Sequence, residues 1–217
     1  MNLKRIVTLG IITFFVLPLA GISLQNEGVL EPENGNEARI NRLLPPEKII
    51  DVVGVTQGMI LAEIGAGRGR FAVHLAVRIG VAGMLYAEDI NSTSLKHLEN
   101  RCEQGELFNV KTVLGEIADP KLPADELDLI FVVSSYHHFR DPVALLRNAK
   151  SALKEDGRLA IAEWLPWNED DREGTTPEDM EAQMKAAGYR FERTESLAVD
   201  KPLYIYIFHL FEGQLFV

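Results

Sequence analysis

Met59-Ile60-Leu61 is a short apolar run leading into Glu63, after which Phe71, Leu75 and Ile79 recur at helical spacing with Ala72 and Ala76 beside them. The pattern predicts a strand, a tight connection and a helix over 71–79 that Gly80 and Gly83 stop. The alternation then repeats. Met84 to Ala87 reads as a buried strand ending in Glu88-Asp89, and Ser92 or Thr93 caps a helix running to about Gln104. Val110–Leu114 and the near-continuous apolar run Leu127–Val133 are the third and fourth strands. Asp141 as N-cap and Pro142 at the first position open a helix to about Leu153, Gly157 marks its end, and Arg158–Trp164 is the fifth strand. Thr176-Pro177-Glu178-Asp179 opens a helix to Ala187 closed by Gly188, and Tyr189–Leu197 and Leu203–Leu210 close the chain as two strands. Upstream, Arg39–Leu44 and Glu47–Val53 read as short helices separated by Pro45-Pro46. Strands alternating with helices argue an α/β fold with a parallel sheet covered on both faces. The two closing strands, with no helix between them, argue an antiparallel edge hairpin. Within the last one, Tyr204, Tyr206 and Phe208 form an aromatic stripe that reads as core packing.

The first residues follow a different grammar. Lys4 and Arg5 precede an apolar run from Ile6 to Leu19, and the small residues Ala20, Gly21 and Ser23 follow. A basic start, an apolar stretch and small residues are the marks of an export signal, either cleaved or kept as an inner-membrane anchor reaching Leu24, with membrane contact through residues 4–24. A buried helix of the domain is the third reading, and a place on the cytoplasmic face stays open. Ile22 stands where a lipidated cysteine would be needed, so acyl anchoring is not expected. Residues 25–38 are polar with glycine and proline and read as a linker. The expected organisation is therefore 1–24 signal or anchor, 25–38 linker and 39–217 domain.

With 217 residues and 47% hydrophobic content the chain can build one full α/β core. A net charge of −10 makes nucleic acid an unexpected partner, because phosphate-backbone binding needs clustered Lys and Arg. Cys102 is the single cysteine, so neither an internal disulfide nor a cysteine-based zinc site can form, and no metal is expected. The sequence leaves the oligomeric state open.

The chemistry concentrates in Ala62-Glu63-Ile64-Gly65-Ala66-Gly67-Arg68-Gly69-Arg70. Glycines at alternate positions between a strand and a helix allow positive φ and a close backbone approach by a ligand, and the helix start offers N–H groups to an anion. The dinucleotide fingerprint needs G-x-G-x-x-G, and Arg70 stands where its last glycine would be, which speaks against a nicotinamide-dependent oxidoreductase. The E-x-G-x-G-x-G pattern instead resembles motif I of the class I S-adenosylmethionine-dependent methyltransferases. Tyr86-Ala87-Glu88-Asp89-Ile90-Asn91 resembles the family's second-strand motif, and Ala152-Leu153-Lys154-Glu155-Asp156-Gly157-Arg158-Leu159 its approach to the fifth strand, with Glu155-Asp156 in place of Pro-Gly. Asp119-Pro120-Lys121-Leu122-Pro123, Asp128-Leu129, Tyr136-His137-His138-Phe139 and Asp141-Pro142 are similar to a bacterial subgroup acting on small molecules.

The resemblance implies a Rossmann-like seven-stranded sheet, mostly parallel with an antiparallel last strand, helices on both faces, and S-adenosylmethionine as cofactor. It implies cofactor contacts at Glu63, Gly65, Ala66, Gly67, Gly69, Asp89, Glu116 and Ile117. Asp89 takes the ribose hydroxyls, with Glu88 the adjacent alternative, since side chains alternate along a strand. Glu116 meets the adenine, with Asp119 second. Relatives often carry an acid or Asn near position 134, where this chain has Ser134. Methyl transfer from a sulfonium needs alignment first, and a base only when the acceptor carries a proton. His137 and His138 are the candidate bases, Tyr136 a candidate cation–π wall, and Glu163 a candidate for orienting a substrate group. Trp164 and Trp167 are either substrate walls or core residues. The expected activity is methyl transfer to a small-molecule acceptor; the alternative is a non-catalytic S-adenosylmethionine-binding module held at a membrane.

Overall fold

The computed structural model describes residues 27–166, 174–197 and 203–210. The expected signal or anchor segment, and Trp167, lie outside the described residues. Among those described, no helix is long and apolar enough to cross a membrane.

Seven strands form one sheet: β1 (Ile60–Ile64), β2 (Met84–Asp89), β3 (Val110–Leu114), β4 (Leu127–Val133), β5 (Leu153–Trp164), β6 (Tyr189–Leu197) and β7 (Leu203–Leu210), in the spatial order β3-β2-β1-β4-β5-β7-β6. The pairs β1/β2, β1/β4, β2/β3 and β4/β5 are parallel, and β7 runs antiparallel to both neighbours, β5 and β6. This is the Rossmann-like sheet expected from the sequence. The helices are α1 (Glu27–Leu30), α2 (Gly35–Leu43), α3 (Pro46–Val53), α4 (Ala72–Ile79), α5 (Ser92–Gln104), α6 (Pro142–Ala149) and α7 (Pro177–Ala187).

Strand alternation divides the core in two. Leu61, Leu129, Phe131 and Val133 face one side and pack with Ile49, Ile50, Leu75, Ile79 and Leu98 of α3, α4 and α5. Ala62, Ile64, Ile130 and Val132 face the other and pack with Leu145, Leu146, Met180 and Met184 of α6 and α7. The aromatic stripe of β7 belongs to that second core: Tyr206 and Phe208 are buried, with stacked ring centroids 6.5 Å apart. The sheet is laid down outward from β1 to β3, after which the chain returns to the other side of β1 for β4. Such a reversal leaves a crevice beyond the C-terminal strand ends, where open α/β sheets bind ligands.

Several local expectations are corrected. The described part of the linker, residues 27–38, carries α1 and the start of α2. Asn34 caps α2 through Oδ1, which accepts from the backbone N–H groups of Asn36 and Glu37. The Glu37 carboxylate forms a buried ion pair with Arg101 of α5 at 3.0 Å. Arg101 also donates to the Val29 carbonyl. A polar composition concealed this docking because its partners lie some seventy residues downstream. The cap of α5 is Asn91, one residue before the expected Ser92. The α6 helix ends at Ala149 and a 3-10 turn, Lys150–Ala152, leads into β5 at Leu153. Gly157 therefore ends no helix. It lies where Leu153 pairs with Leu127 and Arg158 with Leu129, so the intervening residues bulge, and a Cβ on Gly157 would come within 2.8 Å of the Leu127 carbonyl.

Candidate functional site

The loop after β1 is held by the end of β2. The N–H groups of Gly65 and Ala66 both donate to the Glu88 carbonyl, at 2.9 and 2.8 Å. The Gly67 N–H donates to Asp89 Oδ2 at 2.8 Å, and the Asn91 N–H donates to Asp89 Oδ1 at 2.8 Å. The three glycines have different jobs. Gly67, at φ 56°, has no atom within 4 Å of where a Cβ would stand, so its backbone is open to a ligand. At Gly69 a Cβ would stand 2.3 Å from Leu98 Cδ1, so this glycine lets the loop pack on α5. At Gly65 it would meet Ser135 Oγ at 2.7 Å, and that hydroxyl itself donates to the Ile64 carbonyl.

Beyond this loop lies a cavity of about 340 Å³, within the range of small-molecule sites. Gly65 and Gly67 form one wall, and Glu88, Asp89 and Ile90 the next. Glu116 and Ile117 follow, then Ser134, Ser135, His138, Phe139, Arg140 and Leu145. Of the residues singled out in the sequence, Gly65, Gly67, Asp89, Glu116, Ile117 and His138 are brought together here. Ile90 and Ile117 keep 60% and 44% of their surface exposed although both are large and apolar. Exposed isoleucines on a cavity wall suit a flat ring slid between them. An open glycine backbone, acids at the β2 end and exposed apolar side chains together fit the adenosyl and amino-acid parts of S-adenosylmethionine.

Glu63, Ala66, Gly69 and His137 are not on that wall. Ala66 acts through its N–H on Glu88, and Gly69 through its packing on Leu98. Glu63 is buried at 2% exposure with Oε2 unpartnered, and burial pushes its carboxyl up to about 8, with the Arg70 guanidinium working against that shift and Asp89 adding to it. Burial also lowers Arg70, to about 10; its guanidinium lies 4.5 Å above the Phe71 ring and donates to Asn41. Asp119 shapes a turn: its backbone pairs with that of Glu116, and Lys121 bridges both carboxylates at 3.0 and 3.3 Å.

Past β4, Ser134 takes φ 50°, uncommon for a side-chain-bearing residue, and its N–H donates to the Ala162 carbonyl. The 3-10 turn Tyr136–His138 follows. His137 lies over Glu163 of β5: the carboxylate accepts from the ring Nδ1 at 2.9 Å and from the His137 backbone N–H at 3.2 Å. Glu163 is fully buried, and its second oxygen accepts from the Trp164 N–H at 2.8 Å. Glu163 departs from the expectation that it orients a substrate group: fully buried and off the cavity wall, it orients His137. The His138 ring lies 4.0 Å from that of His137, centroid to centroid, and is the one of the two that reaches the cavity. Tyr136 departs from expectation: it is buried in the second core, packed on Phe139, and donates to Gln183 instead of lining the cavity. Trp164 is half-buried against the first core. Among the described residues, no group of three or more His, Cys, Asp and Glu side chains is placed to hold a metal ion.

Sequence reasoning gave no role to Phe139, Arg140 and Leu145 and ranked Glu88 below Asp89. Phe139 closes a motif whose histidines drew the attention, and the other two lie beyond it. Glu88 was legible as an acid one residue before the expected ligand.

Residues 62–161 match a family model described as a methyltransferase domain. The chain is 28% identical over 119 residues to nocamycin O-methyltransferase of Saccharothrix syringae, covering 55% of this chain and 42% of that protein. It is 26% identical over 116 residues to the ubiquinone/menaquinone biosynthesis C-methyltransferase of Shewanella sp. (strain W3-18-1), covering 53% of this chain and 46% of that protein. The match spans less than half the length of these curated relatives. A crystal structure of an S-adenosylmethionine-dependent methyltransferase from Aquifex aeolicus superposes with a TM-score of 0.73 at 22% identity, covering 81% of this chain and 97% of that one.

Proposed function

We propose that this chain is a class I S-adenosylmethionine-dependent methyltransferase that moves a methyl group to a small-molecule acceptor. The observation that carries the reading is the cavity at the β1/β4 switch point, where the open Gly67 backbone, Asp89 and the exposed faces of Ile90 and Ile117 line one space. The match of residues 62–161 to a methyltransferase domain supports it. Bound there, the cofactor supplies a methyl group made electrophilic by a sulfonium. The chain's own residues bind and align. The glycine loop takes the amino-acid end, Asp89 accepts from the ribose, and Glu116 and Ile117 take the adenine edge. Ser134 occupies the position where relatives often carry an acid or Asn, and offers a hydroxyl on the cavity wall.

On the acceptor side, Glu163 holds His137 with its Nδ1 as donor, and His138 stands at the cavity wall. His138, the ring that reaches the cavity, can take a proton from an acceptor that must lose one, and His137 packs behind it. The relatives named as O- and C-methyltransferases support a small-molecule acceptor, and the net charge of −10 disfavours nucleic acid. Lys4, Arg5 and the apolar run after them support an export signal or inner-membrane anchor over residues 1–24. Reporter fusions to the full chain with membrane fractionation test this part, and a reporter active only in the cytosol on a chain that stays in the soluble fraction overturns it.

Titration calorimetry with S-adenosylmethionine, S-adenosylhomocysteine and NAD tests the cofactor. Binding of both adenosyl ligands without NAD is expected; binding of NAD alone overturns the reading. Radiolabelled methyl transfer into the small-molecule fraction of an extract tests the reaction. Cofactor binding with no transfer would leave a binding module.

A further inference from the structure

We propose that Glu88 is a ligand-contacting residue at the nucleoside end of the cavity, recognising the adenosyl group through a hydrogen bond made by its carboxyl. This rests on the cofactor reading given above and adds a second acid to the one that the second-strand motif supplies.

The two neighbouring acids of β2 point to opposite sides of the sheet, as strand alternation requires. On the α4 and α5 side, Asp89 has one oxygen occupied by the Gly67 N–H and the other by the Asn91 N–H. Glu88, on the other side, is 2% exposed, lines the cavity, and has Oε1 without a partner. A buried, unpartnered carboxyl oxygen is costly, and unlike Glu63 Oε2, which is also unpartnered but off the cavity wall, this one belongs to a residue that borders a space where a ligand can complete it. The space has been cleared for it: a Cβ on Gly115, just past β3, would stand 1.9 Å from Oε1 and 2.8 Å from Cδ, so any larger residue there would evict the carboxyl.

The surroundings set what kind of hydrogen bond this is. Burial and the adjacent Asp89 charge raise Glu88 to about 8, with the Gly65 N–H acting in the opposite sense. The other groups around the site are Glu63 with Arg70 on β1 and its loop, Glu116 after β3, and His138 and Arg140 after β4. Near neutral pH Glu88 therefore carries its proton and donates. The ring nitrogens of a purine and the oxygens of its ribose are acceptors that match it. Asp89 accepts where Glu88 donates, so together the two acids read a nucleoside from both senses.

The test compares the full chain with E88A, E88Q and G115A by titration calorimetry with S-adenosylhomocysteine and by thermal melts. The expected result is that E88A binds at least about tenfold more weakly while melting at the same or a higher temperature, because a costly buried acid is gone. E88Q, whose amide still donates, stays within about threefold of the parent. G115A weakens binding like E88A, and the double variant E88A/G115A loses no more than either single one. Parent-like affinity of folded E88A overturns the assignment, as does E88Q falling as far as E88A. If E88A does not fold, G115A and E88Q decide: loss in the first with retention in the second supports the assignment, and equal affinity in both overturns it. A parent chain that fails to bind S-adenosylhomocysteine overturns the cofactor reading itself, and this inference with it. Binding by the parent with no change in E88A overturns this inference alone.

Discussion

The Glu163 carboxylate takes two hydrogen bonds from His137, one from the ring Nδ1 at 2.9 Å and one from the backbone N–H at 3.2 Å. An ionised carboxylate only accepts, so Nδ1 must carry the proton and Nε2 is the basic nitrogen of the neutral ring. The backbone contact fixes where the ring starts and the side-chain contact fixes its rotation. Glu163 is therefore a positioning residue. In E163A the ring loses the contact that sets its rotation and keeps the proton on Nδ1, so the His137 tautomer is no longer fixed. The imidazole nitrogen chemical shifts at fixed pH read this with no acceptor needed. Once an acceptor is known, kcat should fall while the KM for S-adenosylmethionine stays unchanged. Unchanged imidazole shifts in folded E163A would remove the dyad from the mechanism.

Gly67 and Gly69 look equivalent in sequence, yet substitution should separate them. Alanine at Gly67 meets no atom within 4 Å and intrudes on the ligand's space. G67A is expected to lose at least about tenfold in S-adenosylhomocysteine affinity, with a stability cost of only ~1–2 kcal/mol from its left-handed backbone. Alanine at Gly69 combines φ 89° with a 2.3 Å approach to Leu98 Cδ1. G69A should cost about 2–4 kcal/mol in urea melts, the sum of strain and overpacking. Equal losses in both properties at both glycines would mean that the loop works as one unit.

This contrast also marks what the sequence can and cannot tell. The strand–loop–helix reading of 59–79 and the succession of strands along the chain were legible, because apolar periodicity follows directly from burying one side of each element. The site was legible where a position on the cavity wall coincides with a special residue type, as at Gly67 and Asp89. It was not legible where the decisive fact is a long-range contact. Nothing near Gly69 in the chain announces Leu98, and nothing near Glu37 announces Arg101. Tyr136 shows the converse error: an aromatic beside two histidines suggested a ligand wall, but the face it shares with Leu145 and Met184 draws it into the core.

The Glu37–Arg101 pair ties the N-terminal helices to α5 and is buried on both sides, with side-chain exposures of 9% and 6%. Arg101 also donates to the carbonyls of Val29 and Glu31. Removing one partner leaves an uncompensated buried charge, so E37A should cost about 3–5 kcal/mol. The paired change E37L/R101M, which leaves no charge, should recover much of that loss. Urea melts of the three chains check it. A loss below about 1 kcal/mol in E37A would mean that the N-terminal helices are docked by Val29 and its apolar neighbours alone.

Glu63 should make the fold's stability depend on pH in a direction opposite to that of a salt-bridged carboxylate. Its folded value is raised by burial from 4.5 to about 8. Below about 4.5 it is protonated in both states and contributes no pH dependence. Between about 4.5 and 8 the folded chain holds a proton that the unfolded chain has released, so stability falls as pH rises, by up to ~1.4 kcal/mol per pH unit for the one group. Above about 8 the carboxyl is ionised in both states and the penalty is complete. E63Q keeps the shape and removes the titration. The stability difference, E63Q minus parent, should therefore grow from pH 5 to pH 8 and then level off in urea melts at single-unit steps. Glu88 titrates in the same range, so its slope stays in both chains and cancels in the difference. A difference that is flat from pH 5 to pH 9 would mean that Arg70, whose charge opposes the burial shift, keeps Glu63 ionised in the folded chain.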